Sequence, residues 1–217
     1  MSELAERLHT APLDGEEDNA KRRQIVDGAR RIFLKRGFDA ASMMDIAKAA
    51  GVSKGTLYVY FENKEELFAA IVQEECCHHA EGMFKLDGND HDVEKVLTHI
   101  GIDYLHFLCN TGKAASLRIV IAIADRMPTI GKTFYETGPK SGIARVQAYL
   151  EAQVRTGVLA IDDCEIAACQ FLDACQSTLF KPVLFNFEPP PSEERIRKVV
   201  GMAVRMFLAA YKTERGP

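Results

Sequence analysis

Apolar residues recur at helical spacing along most of this 217-residue chain. The first such pattern begins after Ala20 and follows the i, i+4, i+7, i+8 spacing that places apolar side chains on one face of a helix. Its members are Ile25, Ala29, Ile32 and Phe33. Gly37 predicts the end of this helix, because glycine readily adopts the left-handed backbone that terminates many helices.

Three helices are predicted next, two short and one longer, and each is preceded by a residue whose side chain can cap a helix N-terminus. These capping residues are Ser42, Ser53 and Asn63. The second helix ends at Gly51, the third covers residues 54–60, and the fourth runs to about Phe84. The close spacing of caps and glycines indicates a small unit of short helices.

Beyond residue 85, clusters of glycine and proline separate six further predicted helices. They cover residues 91–110, 114–126, 128–137, 139–156, 162–186 and 192–213. Since sustained period-two alternation with hairpin turns does not occur in the sequence, a sheet is not expected. The predicted fold is all-α.

The net charge of −4 is unevenly distributed. Residues 1–19 hold six acids and one base and lack periodicity, so they are predicted to form a disordered tail. Residues 20–67 hold ten Lys and Arg against six acids. Such a basic block fits a surface for a polyanion, although charge alone favours a solvated helical face.

Several classes of protein are excluded at this stage. The longest apolar stretch, Ile119 to Ala124, is far shorter than the roughly 20 residues of a membrane-spanning helix. The acidic first 19 residues do not resemble a signal peptide, and six unevenly spaced cysteines do not suggest a secreted disulfide framework. We expect a cytoplasmic protein. Motifs of common hydrolases and nucleotide-binding enzymes are missing from the sequence, so we do not expect an enzyme.

Residues 42–60 have the dimensions of a helix-turn-helix, in which the second helix enters the major groove of DNA. Val52 and Leu57 are placed to fix the turn in the core. Residues left outside can contact phosphates or bases. Since Arg, Asn and Gln do not occur in residues 53–60, we expect mainly phosphate contacts and recognition of DNA shape.

The segment from Phe33 to Leu67 contains G-V-S-K-G-T-L-Y-V-Y-F followed by N-K-E-E-L and closely resembles the DNA-binding domain of the TetR family. The resemblance implies a homodimer of all-helical subunits, in which a small molecule relieves repression. It also implies three N-terminal helices for DNA, in a helix-turn-helix domain over 20–66 after the tail over 1–19, and a ligand-binding and dimerisation domain over 67–217. Two reading helices about 34–36 Å apart would require a pseudo-palindromic operator.

Carried over by position, the DNA-binding residues of the family fall on eight positions, of which the first caps a helix. They are Ser42, Met43, Lys54, Gly55, Thr56, Tyr58, Tyr60 and Lys64. Many relatives have threonine at the place of Met43, and a thioether cannot replace its hydroxyl at a phosphate. The alternatives are packing for the two tyrosines and solvated charge for the two lysines.

The stretch from Leu117 to Ala122 is similar to AefR-type C-terminal domains of the family. A pocket there would need apolar walls and a few inward polar groups. The candidates are His106, Phe107, Arg118, Ile121, Phe134, Tyr135, Tyr149, Gln170, Asp173 and Gln176. Arg118 and Asp173 lie in apolar surroundings in the sequence, so they are expected to pair with each other or to bind a polar ligand.

Apolar stripes on the last two long helices are suited to a four-helix bundle with a second copy. They comprise Ala168, Phe171, Leu172, Cys175, Leu179, Ile196, Val199, Val200, Ala203, Met206 and Phe207. The alternative is that they form core within one chain.

Cys76, Cys77, His78 and His79 suggest a metal or redox site, but neighbours on a helix point about 100° apart and do not converge on one ion. The pairs Glu75–His79 and His106–Cys109 supply two ligands each, fewer than zinc requires. We therefore predict no metal and no cofactor. Two alternatives remain: a metal- or thiol-sensing regulator, and a helical binding protein or enzyme without a DNA function.

Overall fold

In the computed structural model, residues 15–83 and 86–213 are described, with side chains for 18–74 and 86–213. The helices are α1 (Gly15–Ala40), α2 (Met43–Ala50), α3 (Lys54–Tyr60), α4 (Lys64–Met83), α5 (Val93–Leu108), α6 (Thr111–Ile123), α7 (Pro128–Thr137), α8 (Pro139–Arg155), α9 (Cys164–Gln176), α10 (Phe180–Leu184) and α11 (Glu193–Tyr211). The β-pairing in these residues is an isolated bridge between Leu159 and Lys212. The all-α prediction is confirmed. No helix of the described chain is long and apolar enough to cross a membrane.

The chain divides after Ile71 into two compact units. The N-terminal unit contains α1, α2, α3 and the beginning of α4. The C-terminal unit begins at Val72 within α4 and includes α5 to α11. The division lies five residues beyond the predicted boundary at residue 66.

Two helix boundaries differ from the prediction. Helix α1 begins at Gly15, so residues 15–19 are helical rather than part of a disordered tail; residues 1–14 lie outside the described part. The predicted helix 162–186 is divided into α9 and α10, because Pro182 lacks an N–H and its ring crowds the preceding turn.

In the N-terminal unit, α1 and α2 cross in direct backbone contact. A Cβ atom on Gly28 would lie 2.7 Å from the Cα of Ala50, so only glycine fits there without a shift. The Gln24 side chain donates to the Ala50 carbonyl at 2.6 Å, and the Arg31 guanidinium donates to the Ala49 carbonyl at 2.6 Å. These hydrogen bonds satisfy carbonyls at the end of α2 and fix it on α1.

Gly37 has φ 76° and ψ 172°, a backbone conformation open mainly to glycine, and it interrupts α1 as predicted. The chain after it carries Phe38 into an aromatic cluster, 5.5 Å from the Phe33 ring and 5.4 Å from the Phe68 ring between centroids. Phe33 and Phe68 meet edge to face at 5.2 Å. The cluster joins α1 to α4.

The core of the C-terminal unit lies between α5, α8, α9 and α11. Gly101 on α5 faces Val200 on α11, and an added Cβ would lie 2.7 Å from a methyl of Val200. Ten residues of the predicted dimer interface are buried in this core. They are Ala168, Phe171, Leu172, Cys175, Leu179, Ile196, Val199, Val200, Ala203 and Phe207.

These ten residues pack in the core of the single chain, which favours the alternative of core within one chain over a dimer interface. The reason is physical: an apolar stripe identifies which face of a helix is buried but not what covers it. The eleventh residue, Met206, is 64% exposed on the opposite side of α11.

Candidate functional site

The helix-turn-helix predicted over residues 42–60 is present, and its caps form as expected. The Ser42 hydroxyl accepts from the Asp45 amide at 3.1 Å, and the Ser53 hydroxyl accepts from the Thr56 amide at 3.0 Å. Gly51 terminates α2 with φ 66° and ψ 35°, in the left-handed region. The two serine caps and the glycine at the end of α2 thus fix the directions of α2 and α3 at the turn.

Asp45 connects the beginning of α2 to the end of α1. Its carboxylate accepts a hydrogen bond from the Ser42 hydroxyl at 2.7 Å and pairs with the Arg36 guanidinium at 2.7 Å. The Ser42 hydrogen bond is the main cause that lowers the pKa of Asp45, and the Arg36 charge lowers it further. The carboxylate is therefore ionised at neutral pH and orients Arg36.

Helix α3 has one buried face and one exposed face. Leu57 is fully buried beneath the helix, and Phe61 continues this face at its end. On the other side, Tyr58 is 45% exposed and Val59 is 80% exposed. The Lys54 ammonium lies 5.8 Å from the centroid of the Tyr58 ring, so charge and aromatic surface are adjacent on the exposed face.

Gly55 and Thr56 complete the first turn of α3. A Cβ atom on Gly55 would have only the Ser53 hydroxyl within 4 Å, at 3.8 Å, so the backbone surface at this point is open. The Thr56 hydroxyl is hydrogen-bonded to the Ser53 hydroxyl at 2.8 Å. Gly55 thus permits close approach of another molecule, while Thr56 participates in the cap.

Two residues that were predicted to contact DNA, Tyr60 and Lys64, interact with other groups of the protein. The Tyr60 phenol is hydrogen-bonded to Asp18, and this bond is the main cause that raises the pKa of Tyr60. The Lys64 ammonium donates to the carbonyls of Phe38, Asp39 and Ala41 at 3.0, 3.2 and 3.4 Å. An ammonium has three donors, so this geometry disfavours the predicted phosphate contact of Lys64.

The larger exposed side chains of the helix-turn-helix that are absent from the predicted set are those of Met44, Lys48 and Val59. Met43, which was predicted, is half-buried at the beginning of α2. A signal for Val59 is present in the sequence, since it lies two positions after the buried Leu57 and thus on the other side of the helix. Its side chain lacks a hydrogen-bonding group, so a pattern of polar DNA contacts does not include it.

The C-terminal unit contains an apolar cavity of about 50 Å³. Two predicted pocket residues, Phe107 and Phe134, line it. Lys113 and Ser116 are the polar lining residues, and the Lys113 ammonium lies 5.5 Å from the Phe107 ring centroid. The remaining lining residues are Val72, Leu108, Leu117, Val120 and Phe180.

The predicted pairing of Arg118 with Asp173 is wrong. Arg118 is exposed and donates to the carbonyls of Val183 and Leu184 at 3.4 and 3.0 Å. Asp173 is exposed on α9 and accepts from Gln176 at 3.2 Å. Residues nearby in the sequence, such as Val120 and Leu172, are buried, while the side chains of Arg118 and Asp173 are exposed. Ile121 and Tyr135, also predicted for the pocket, are exposed as well.

The other predicted pocket residues stabilise the unit elsewhere. The buried Tyr149 donates to the Asp90 carbonyl at 2.9 Å, which fixes the loop before α5 on α8. The remaining three make their hydrogen bonds on α5, α9 and α11. These bonds are Gln176 to the Tyr104 hydroxyl at 2.8 Å, Tyr211 to Gln170 at 3.4 Å, and His106 to Glu193 at 2.7 Å.

The cysteines of the described core are unsuited to thiolate chemistry at neutral pH. Burial raises the pKa of Cys109 to about 11 and that of Cys175 to about 12. The side chains of Cys76, Cys77, His78 and His79 lie outside the described residues. Among the described residues, no group of three or more His, Cys, Asp and Glu side chains can hold a metal ion.

A capped helix-turn-helix with an exposed, lysine-bearing second helix, followed by a larger helical unit, is typical of DNA-binding transcriptional regulators. Residues 25–71 match the family model for bacterial regulatory proteins of the tetR family. Residues 95–213 match the model for the C-terminal domain of AefR-like transcriptional repressors. The chain belongs to the TetR family of transcriptional regulators, a generally non-enzymatic family, and both predicted resemblances are confirmed.

Known relatives agree with this assignment. The flavonoid-responsive regulator FrrA is 32% identical, covers 91% of this chain and 100% of its own, and gives a TM-score of 0.77. A TetR-family regulator from Mesorhizobium loti, at 24% identity, covers 90% of this chain and 98% of its own, with a TM-score of 0.79, and shows the shared fold. The HTH-type transcriptional repressor Rv1474c of Mycobacterium tuberculosis is 43% identical over 56 residues, 26% of this chain but only 30% of that protein.

Proposed function

We propose that the protein is a homodimeric repressor that binds a pseudo-palindromic operator and leaves it when a small molecule enters the C-terminal unit. The observation that carries this proposal is the exposed surface of α3, where Lys54, Tyr58 and Val59 are open to solvent while Leu57 is buried. Docked in a major groove, this face presents a cation and a phenol to the phosphates beside it. Gly55 lets the helix backbone approach the DNA closely.

The first test is the salt dependence of binding to a duplex selected from a random pool. Wild-type affinity should fall steeply with salt, because each neutralised phosphate releases counterions. A plot of log affinity against log salt has a negative slope. Lys54→Ala should make this slope shallower by about one for each phosphate that is no longer neutralised. The measurement is fluorescence anisotropy between low and physiological salt.

Lys140→Ala is the matched control, since Lys140 is an exposed lysine of the C-terminal unit. Its slope should equal that of the wild type. Equal slopes for Lys54→Ala and wild type would argue against docking through α3, and a salt-independent affinity would argue against phosphate-led binding altogether.

The proposed dimer surface is the solvent face of α9 and α11 rather than the buried stripes. Three large apolar side chains are exposed there: Ile166 at 54%, Met202 at 50% and Met206 at 64%. Packing against the same face of a second copy would give the symmetric contact expected of a two-fold dimer. Dimers are typical of the family.

We propose that the effector is a planar, largely apolar molecule with an acidic hydroxyl or carboxyl group. The aromatic rings of Phe107 and Phe134 supply apolar walls, and Lys113 supplies a cation. The flavonoid response in FrrA's name supports this class by similarity. Ligand pockets commonly measure roughly 300–1,000 Å³, so the cavity of about 50 Å³ must expand on binding.

That expansion offers a route to the DNA-binding unit. Val72 lines the cavity from α4, and Phe68, one turn earlier on α4, packs in the aromatic cluster of the N-terminal unit. Because a helix transmits displacement along its length, separating the cavity walls would shift the helix that carries Phe68. Release from the operator follows as a population shift toward the ligand-bound state.

The second test is a titration with hydroxylated flavonoids. Lys113→Met keeps the aliphatic stem and removes the charge, so affinity for a flavonoid with an ionised phenol should fall about tenfold, as expected for the loss of a charge-assisted hydrogen bond. Lys132→Met on α7, an exposed position, should leave affinity unchanged. If flavonoid affinity falls equally in both variants, or in neither, Lys113 does not bind the effector.

A further inference from the structure

Val59 is the most exposed large apolar residue described in the N-terminal unit, at 80% of its surface. Single exposed apolar residues are common on protein surfaces, so exposure alone assigns no role. Its position makes it unusual: Val59 follows Tyr58 and lies one helical turn after Gly55. Residues four apart on a helix share a face, so the open surface at Gly55 continues directly onto the valine.

The chemistry of an isopropyl group narrows what it can contact on DNA. It has neither a donor nor an acceptor, so it cannot bind a phosphate or the polar edge of a base. The major groove offers one apolar group for such a side chain, the C5-methyl of thymine. A valine that faces the groove therefore distinguishes thymine from cytosine through this methyl.

Few residues of α3 other than Val59 are available to recognise bases. Residues 53–60 contain no Arg, Asn or Gln, which make the common bidentate contacts to guanine and adenine. The Thr56 hydroxyl is engaged with Ser53, and the Tyr60 phenol with Asp18. With Lys54 and Tyr58 directed at phosphates, base recognition by α3 then falls mainly to Val59.

We propose that Val59 is a specificity-determining residue that packs against the methyl group of a thymine in each half of the operator. The proposal rests on the docking of α3 in the major groove. It adds a base preference to a helix whose other exposed groups favour phosphates. It also requires that the selected operator hold a thymine at symmetric positions of its two halves.

The test replaces each thymine of the selected duplex by uracil, which removes only the methyl group. At one symmetric pair of positions, wild-type affinity should fall about three- to fivefold per half-site. This factor corresponds to the free energy gained by burying one methyl group. Val59→Ala should lose a similar factor on the thymine duplex and lose nothing further on uracil. Because Val59 is exposed, the variant should keep the helix content and melting temperature of the wild type.

Lys54→Ala serves as the control, since removing a phosphate contact weakens binding to thymine and uracil duplexes equally. If no uracil position lowers wild-type affinity, or if Val59→Ala keeps the full sensitivity to uracil, the proposal is overturned while DNA docking stands. If the wild type binds no duplex with salt-dependent affinity, the proposed function fails and this proposal fails with it.

Discussion

Gly28→Ala is expected to destabilise the N-terminal unit by about 1–3 kcal/mol and to lower operator affinity more than tenfold. The added Cβ would lie 2.7 Å from the Cα and 2.8 Å from the N of Ala50, both backbone atoms that cannot rotate away. Helix α2 must therefore move off α1. Alanine's better helix propensity, about 1 kcal/mol, offsets only part of this cost.

Operator affinity should fall even in molecules that stay folded, because α2 carries α3. Ala50 is the last residue of α2, and Gly51 turns the chain directly toward α3. A displacement at the crossing thus reaches the exposed face within a few residues. Hydrogen exchange should show faster exchange in α2 and α3, with α8 and α11 unchanged, and anisotropy gives the affinity.

Gly201→Ala is the matched control, since a Cβ there would have only the Arg205 side chain within 4 Å, at 3.6 Å. This variant should be as stable as the wild type or slightly more stable. If Gly28→Ala behaves in the same way, the α1–α2 crossing is looser than the geometry indicates.

The helix-turn-helix was predictable because its signals are local. Ser42, Ser53 and Gly51 act on residues within one helical turn, and their types identify the structures that they form. The same is true of Gly37. The family motif adds no geometry to these positions but identifies the surface that they present. Short-range chemistry of this kind can be read directly from the chain.

The contacts that could not be predicted involve partners that are distant in sequence. Lys64 fits a motif for phosphate contact, but the carbonyls that occupy its ammonium lie more than 20 residues earlier, beyond the interruption at Gly37. Arg118 likewise binds carbonyls 65 and 66 residues away. A single sequence gives the type of a side chain and its local direction, but not which long-range acceptor it meets.

The dimer surface also could not be predicted from the sequence, because the sequence does not show which element covers an apolar face. The periodicity of α11 correctly separated its two faces, but it assigned the apolar face to a second copy when α5 and α9 already cover it. The face left outside holds Met202 and Met206 among charged residues. Only the packed structure shows which apolar residues remain for a partner.

The double variant Met202→Glu/Met206→Glu is expected to yield folded monomers whose operator affinity is about 10²–10⁴-fold weaker. Both methionines are at least half exposed in the single chain, so the fold does not depend on them. In a symmetric dimer, each added carboxylate would face its like across the interface, at a cost that a standard interface cannot offset. Sedimentation gives the mass, and circular dichroism checks the helix content.

Two comparisons separate dimer loss from unfolding. Ile121→Glu places the same charge on α6, at an exposed aliphatic residue outside the proposed surface, and should remain dimeric. Phe207→Glu places it one residue further along α11, in the core beside Phe171, and should unfold the C-terminal unit. Monomers that keep wild-type affinity would show that one reading helix suffices. A dimer that survives both methionine substitutions would move the interface to another face.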